Sequence, residues 1–161
     1  MTSNTKTRPE LTIRPATPDD VAALTALSYK TIRAKYPPII GSETVEGYIA
    51  SGAVPKYYDE RNAWLSVAEI DGEPVGAVAL MDHEIHLMMV TLDHHRQGIG
   101  EALLRHGEAA LFATHERIEL QTFRDNLQAV NFYTKHGWTP VREYPMAETG
   151  IAMLTMQKQR H

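Results

Sequence analysis

Cysteine is absent from the chain. A disulfide framework, a zinc–thiolate site and a cysteine nucleophile are thereby excluded. Long apolar runs are missing too: none approaches the roughly 20 residues a membrane span needs. Met1 to Glu10 is polar and lacks the apolar centre of a signal peptide. A reducing, cytoplasmic location with no membrane partner is expected. Nor is there a basic surplus. Lys and Arg number 16 against 20 Asp and Glu, for a formal net charge of −4. The basic residues are scattered rather than gathered into a stripe, which speaks against a nucleic-acid partner. What is present is ordinary for a globular protein, with 43% hydrophobic and 22% charged residues. At 161 residues the chain is long enough to bury a core unaided. One domain over 1–161 is expected, with 1–10 a disordered N-terminal extension.

Leu11 to Arg14 reads as a first strand. Thr17 can cap the helix that follows, with Pro18 at its first position and Asp19 and Asp20 at the positive end of its dipole. Val21, Leu24, Leu27 and Ile32 give that helix an apolar stripe, and Pro37-Pro38 should stop it. Ser42 to Ile49 reads as a second short helix, and Gly52 to Arg61 as irregular. Ala63 to Ile70 and Pro74 to Met81 flank Asp71-Gly72, a strong hairpin signal. A strand is expected over Ile85 to Leu92, and a helix over Gly98 to Ala113 with Ile99, Leu103, Leu104, Ala110 and Leu111 along one side. Ile118 to Thr122 reads as strand, Gln128 to His136 as helix, and Trp138 to Tyr144 and Ile151 to Met156 as closing strands.

Chemistry concentrates in Val90-Thr91-Leu92-Asp93-His94-His95-Arg96-Gln97-Gly98-Ile99-Gly100, where a strand enters a glycine-bearing turn and then a helix. Such a turn aims free N–H groups and the helix dipole at one place, which suits a phosphate. Gly98 and Gly100 let an anion approach the backbone. A dinucleotide fingerprint would need a third glycine, but that position is Leu103. A second block runs Asn126-Leu127-Gln128-Ala129-Val130-Asn131-Phe132-Tyr133-Thr134-Lys135-His136-Gly137-Trp138.

Together the two blocks resemble the GNAT (GCN5-related N-acetyltransferase) family. There a pyrophosphate loop of pattern [Arg/Gln]-x-x-Gly-x-[Gly/Ala] precedes Asn-x-x-Ala-x-x-Phe-Tyr-x-x-x-Gly-Phe. The resemblance spans Leu11 to Met156. One departure is His95, where the family usually carries Arg or Gln; Arg96 is a substitute source of positive charge. The resemblance implies an α/β (α+β) fold: a mostly antiparallel mixed sheet of about six to seven strands flanked by about four helices. It also implies acetyl transfer from acetyl-CoA, as acyl-donor cosubstrate, to a primary amine. No metal is called for; His83 and His86 read as strand or surface histidines.

At pH 7 an amine of pKa about 10.4 needs about 4–5 kcal/mol to become nucleophilic, so a base or a water relay is required. By resemblance to the histone acetyltransferase branch the base is Glu84, six residues before Val90, with His86 as the alternative. Glu84 reads equally well as an exposed carboxylate at a strand start. The resemblance further implies an oxyanion-binding main-chain N–H near Val90. Cofactor contacts are implied for Met89, Val90, Thr91, His95, Arg96, Gln97, Gly98, Ile99, Gly100, Glu101, Asn126 and Tyr133. Tyr133 is the implied acid for the leaving thiolate, its plain alternative being a packing residue beside Phe132. Asn126 serves equally as a helix cap. Tyr29, Arg33, Tyr36, Tyr57, Tyr58 and His86 are candidates for the acceptor pocket, with core packing the plain alternative for the aromatics; the acceptor itself is not legible. Dimers are frequent among relatives, so a homodimer stays open. Two other classes of reading remain: a non-catalytic acyl-CoA-binding module, and a nucleotide-binding α/β domain with strands and helices alternating from the start.

Overall fold

The computed structural model describes residues 10–93 and 98–161. The expected N-terminal extension, Glu10 apart, and the expected cofactor contacts at His95, Arg96 and Gln97 lie outside the described residues. Strand β1 (Leu11–Pro15) leads into four consecutive helices, α1 (Asp20–Lys35), α2 (Pro37–Ile40), α3 (Ser42–Ala50) and α4 (Ala53–Glu60). A single 3-10 turn then opens β2 (Leu65–Ile70), β3 (Glu73–Met81) and β4 (Glu84–Val90). Helix α5 (Ile99–Phe112), β5 (Arg117–Phe123), α6 (Leu127–Lys135), β6 (Thr139–Pro145) and β7 (Ala152–Gln159) complete the order. The seven strands form one sheet in the order β1-β2-β3-β4-β5-β7-β6, antiparallel everywhere except between β4 and β5. That arrangement overturns the alternating nucleotide-binding topology.

Two cores flank the sheet. On one face α1, α3 and α4 press Leu24, Ile32, Val45, Val54 and Tyr58 onto Leu65, Val67, Ala77, Ala79 and Met89. On the other, Ile99, Leu103, Leu104 and Leu111 of α5 join Tyr133 and Trp138 over Val75, Val78, Ile85, Ile118, Leu120, Leu154 and Met156. This second core reaches strands on both sides of the parallel junction. Ala110, expected on the buried stripe of α5, is exposed; Gly107 and Glu108 are buried instead.

Local chemistry explains most boundaries. Asp71 (φ 52°) and Gly72 (φ 78°) both adopt left-handed torsions, the two-residue hairpin turn their sequence favours. Thr17 does not cap α1. The buried Asp20 carboxylate instead accepts the Thr17 main-chain N–H (2.7 Å) and two N–H groups of Arg14 (2.8 Å each). Pro37 and Pro38 end α1, yet they also occupy the first positions of α2, where their missing N–H groups cost nothing. The stretch expected to be irregular, Gly52 to Arg61, contains α4. Gly52 in the left-handed region (φ 77°) opens it, and the burial of Val54 and Tyr58 supplies the stability that a Pro- and Tyr-bearing segment lacks by propensity.

Candidate active site

The parallel junction is short. β4 and β5 pair only at Glu84–Glu119 and Ile85–Leu120, after which the strands part and leave a gap. Thr91 donates its N–H to Val75 on β3. By antiparallel alternation Met89 also turns its main chain to β3, whereas Met88 and Val90 turn theirs into the gap. The C-terminal half of α1 crosses that gap. Thr31 Oγ1 donates to the Val90 carbonyl (3.1 Å), Lys35 reaches Gln128 on α6 (2.8 Å), and Tyr36 stands edge-on to Phe123 at the end of β5 (5.2 Å).

Gly98 opens α5 at φ 72°, and nothing among the described residues lies within 4 Å of where its Cβ would be. Ile99 beside it is buried, and Gly100 faces Phe132 and Val90, which ties the head of α5 to the gap. Glu101 pairs with Arg105 (2.7 Å), one turn along α5. Asn126 caps α6, its Oδ1 accepting the Ala129 N–H (3.4 Å).

Tyr133 is 8% exposed, packed against Phe132 (5.4 Å) and Trp138 (6.1 Å). Its hydroxyl has no hydrogen-bond partner among the described residues. Burial pushes this phenol well above its ordinary pKa, and the neighbouring Tyr36 phenol adds to the rise.

A β-bulge sets the face of β4. Leu80 lies opposite Ile85 but Ala79 opposite Leu87, so His86 is the extra residue. Leu87 and Met89 consequently join the α1–α4 core, while Met88 and Val90 join the α5 core. His86 stacks on Tyr57 of α4 (5.5 Å between ring centres, 11° between planes), and its Nδ1 lies 2.6 Å from the Tyr57 hydroxyl. Arg61 covers the Tyr57 ring at 4.4 Å. Burial raises the phenols of Tyr57 and Tyr144, the neighbouring guanidinium opposes the rise, and the Glu84 charge adds to it in both. The Glu84 carboxylate has no hydrogen bond or ion pair among the described residues.

Of the other acceptor candidates, Arg33 is held outside by Glu46 (3.0 and 3.1 Å) and lies near the Tyr29 ring (5.9 Å). Tyr36 belongs to the gap. Sequence reasoning passed over Met88, Thr31 and Gln121, and the hairpin and loop patterns carry no signal for them. Among the described residues no group of three or more His, Asp or Glu is placed to hold a metal ion, and no helix is long and apolar enough to cross a membrane.

A mostly antiparallel sheet that splays at one parallel junction, with a glycine-opened helix beside the splay, defines an acyltransferase-like architecture. The sequence matches the Acetyltransferase (GNAT) domain over residues 23–160, and the chain belongs to that family. Similar solved structures share the fold. The GCN5-related N-acetyltransferase from Rhodopseudomonas palustris is 22% identical, with a TM-score of 0.81 over 96% of this chain and 97% of that one. The PaiA N-acetyltransferase from Thermoplasma acidophilum, in complex with coenzyme A, is 16% identical, with a TM-score of 0.78 over 94% and 99%. YncA from Salmonella typhimurium, with its cofactor acetyl-CoA, is 18% identical, with a TM-score of 0.66 over 92% and 93%. No curated protein matches the chain.

Proposed function

We propose that the protein moves an acetyl group from acetyl-CoA to a primary amine by direct attack on the thioester. The β4–β5 gap carries this reading. Its Met88 and Val90 main-chain N–H groups, which have no partner strand among the described residues, offer an extended arm the hydrogen bonds a missing strand would have made, and the α5 N-terminus at Gly98 offers a phosphate its N–H groups. Gly98, Ile99, Gly100 and Glu101 form the described head of that site, and His95, Arg96 and Gln97 are assigned to it by resemblance. The Val90 N–H is the donor for the oxyanion formed as the amine nitrogen adds to the carbonyl carbon.

Glu84 is the base, acting through water, since the length of β4 separates it from the Val90 N–H. It is a carboxylate without a cation among the described residues, on the α4 side of the sheet. His86 suits a different role. The raised Tyr57 phenol stays protonated, and an imidazole nitrogen accepts better than a phenol oxygen, so Tyr57 donates to Nδ1 and the His86 proton sits on Nε2. His86 thus presents a donor. As the C–S bond breaks, the thiolate takes a proton from Tyr133. Full transfer from a raised phenol to a thiolate of pKa about 8.5 is uphill, so Tyr133 acts first as a hydrogen-bond donor to the developing charge.

Calorimetric titration with acetyl-CoA, followed by free-thiol release over a panel of amines, tests the reading. One binding event per chain with amine-dependent thiol release is expected. Binding without release under every amine would favour the non-catalytic acyl-CoA-binding module, and no binding would sink the proposal.

A further inference from the structure

The open face beyond the gap carries charges of both signs that the reaction chemistry leaves unused. An open pocket of about 500 Å³ lies over β5, β7 and β6. Its floor is a hydrogen-bonded row. Gln121 Oε1 accepts from Thr155 (2.6 Å) and Tyr144 (2.9 Å), and the amides of Gln121 and Gln157 donate to the two Glu119 oxygens (3.3 and 3.4 Å). Those bonds fix the Glu119 carboxylate in place. They do not neutralise it; among the described residues its one ion-pair partner is His83 at 3.7 Å. Glu119 is the register partner of Glu84, so two carboxylates stand side by side on adjacent strands.

The opposite charge is brought in by a second bulge. Pro140 lies opposite Met156 but Arg142 opposite Thr155, so Val141 is the extra residue on β6. Without it, alternation would send Arg142 to the far face with Leu154; with it, Arg142 and Tyr144 both turn to the pocket, and Glu143 turns away toward Arg124 (3.7 Å). Arg142 lies 4.8 Å from the Tyr144 ring centre and has no carboxylate partner among the described residues.

We infer that the acceptor is a small zwitterion, an amine that also carries a carboxylate, of which an α-amino acid is the simplest case. Its ammonium faces Glu119 and Glu84, and its carboxylate faces Arg142, which is suited to two-point recognition of that group. The inference rests on the transferase reading for which nitrogen reacts, but not for binding.

Binding is therefore measured separately from turnover, by calorimetry on the full chain. The probes are the common L-amino acids and their decarboxylated counterparts, such as L-leucine with isoamylamine and L-lysine with cadaverine. At least one amino acid is expected to bind tenfold or more tightly than its matched amine. Arg142→Gln should erase that preference, Arg142→Lys should keep part of it, and Glu119→Gln should weaken the amino acid at least tenfold. Arg142 is exposed on an edge strand, so circular dichroism should show these variants folded. Equal binding within every pair, binding by no amino acid, or a preference that survives Arg142→Gln would overturn the inference. Thiol release with other amines would then leave the transferase standing; conversely, amino-acid binding without acetyl-CoA binding would fell the transferase alone.

Discussion

At the scale of single residues, two buried groups give sharp expectations. Arg14 holds the Asp20 carboxyl below its ordinary pKa by direct hydrogen bonds, against the cost of burial. A depressed folded-state pKa means that the stabilisation is complete above the unfolded value of about 3.9 and fades as pH falls through the folded value. Asp20→Asn should cost about 2 kcal/mol at pH 7 in urea unfolding, with the gap from wild type narrowing below pH 4. A constant gap would deny the linkage. Tyr133→Phe keeps the packing against Phe132 and Trp138 and deletes only the hydroxyl. Turnover should fall about 100-fold while acetyl-CoA affinity holds within twofold; unchanged turnover would leave Tyr133 as packing alone. Residues set in a recognisable frame, such as Gly98, Asn126 and Tyr133, were legible in the sequence. Gln121 and Arg142 were not, because each gains its meaning from neighbours on other strands.

Single elements show where pattern reading succeeds and where it stops. The Asp71-Gly72 hairpin was legible because both residues tolerate left-handed torsions, and α5 because its apolar spacing is regular. Helix α4 was hidden by Pro55 and its tyrosines, whose helical state depends on packing under α1. The two bulges were hidden for a different reason: a register shift is a property of a strand pair and leaves no mark on either strand alone. Close packing at β3 gives a further test. A Cβ on Gly76 would lie 2.8 Å from the Met89 carbonyl oxygen and 2.9 Å from Leu103 Cδ1, and the carbonyl cannot swing aside. Gly76→Ala should therefore destabilise by about 1–3 kcal/mol, read as a lowered thermal midpoint. Gly98→Asp contrasts with it, since its Cβ meets nothing among the described residues. Folding should lose only about 1–2 kcal/mol for the left-handed torsion, whereas acetyl-CoA affinity should fall at least tenfold from the added charge at the helix N-terminus. Unaltered affinity would remove Gly98 from the phosphate site.

Across the whole molecule, the sheet consists of a four-stranded and a three-stranded part joined edge to edge by two residue pairs. The α1–α4 core belongs to the larger part, so the α5 core is what spans the junction. On the other face the span is made by individual polar and aromatic contacts of α1: Thr31 to Val90, Lys35 to Gln128 and Tyr36 to Phe123. The order of elements was legible and the mostly antiparallel sheet was implied by the family resemblance, but this asymmetry was not, since it depends on which side of the sheet each helix takes.

The unfinished junction has a kinetic signature. Amide protons of Leu87, Met89 and Thr91 are shielded by β3, whereas those of Met88 and Val90 face the gap without a partner strand. In deuterated solvent the chain along β4 should exchange in alternation, with Met88 and Val90 fast in the free protein. A ligand that lies along the gap like an eighth strand would slow those two amides most.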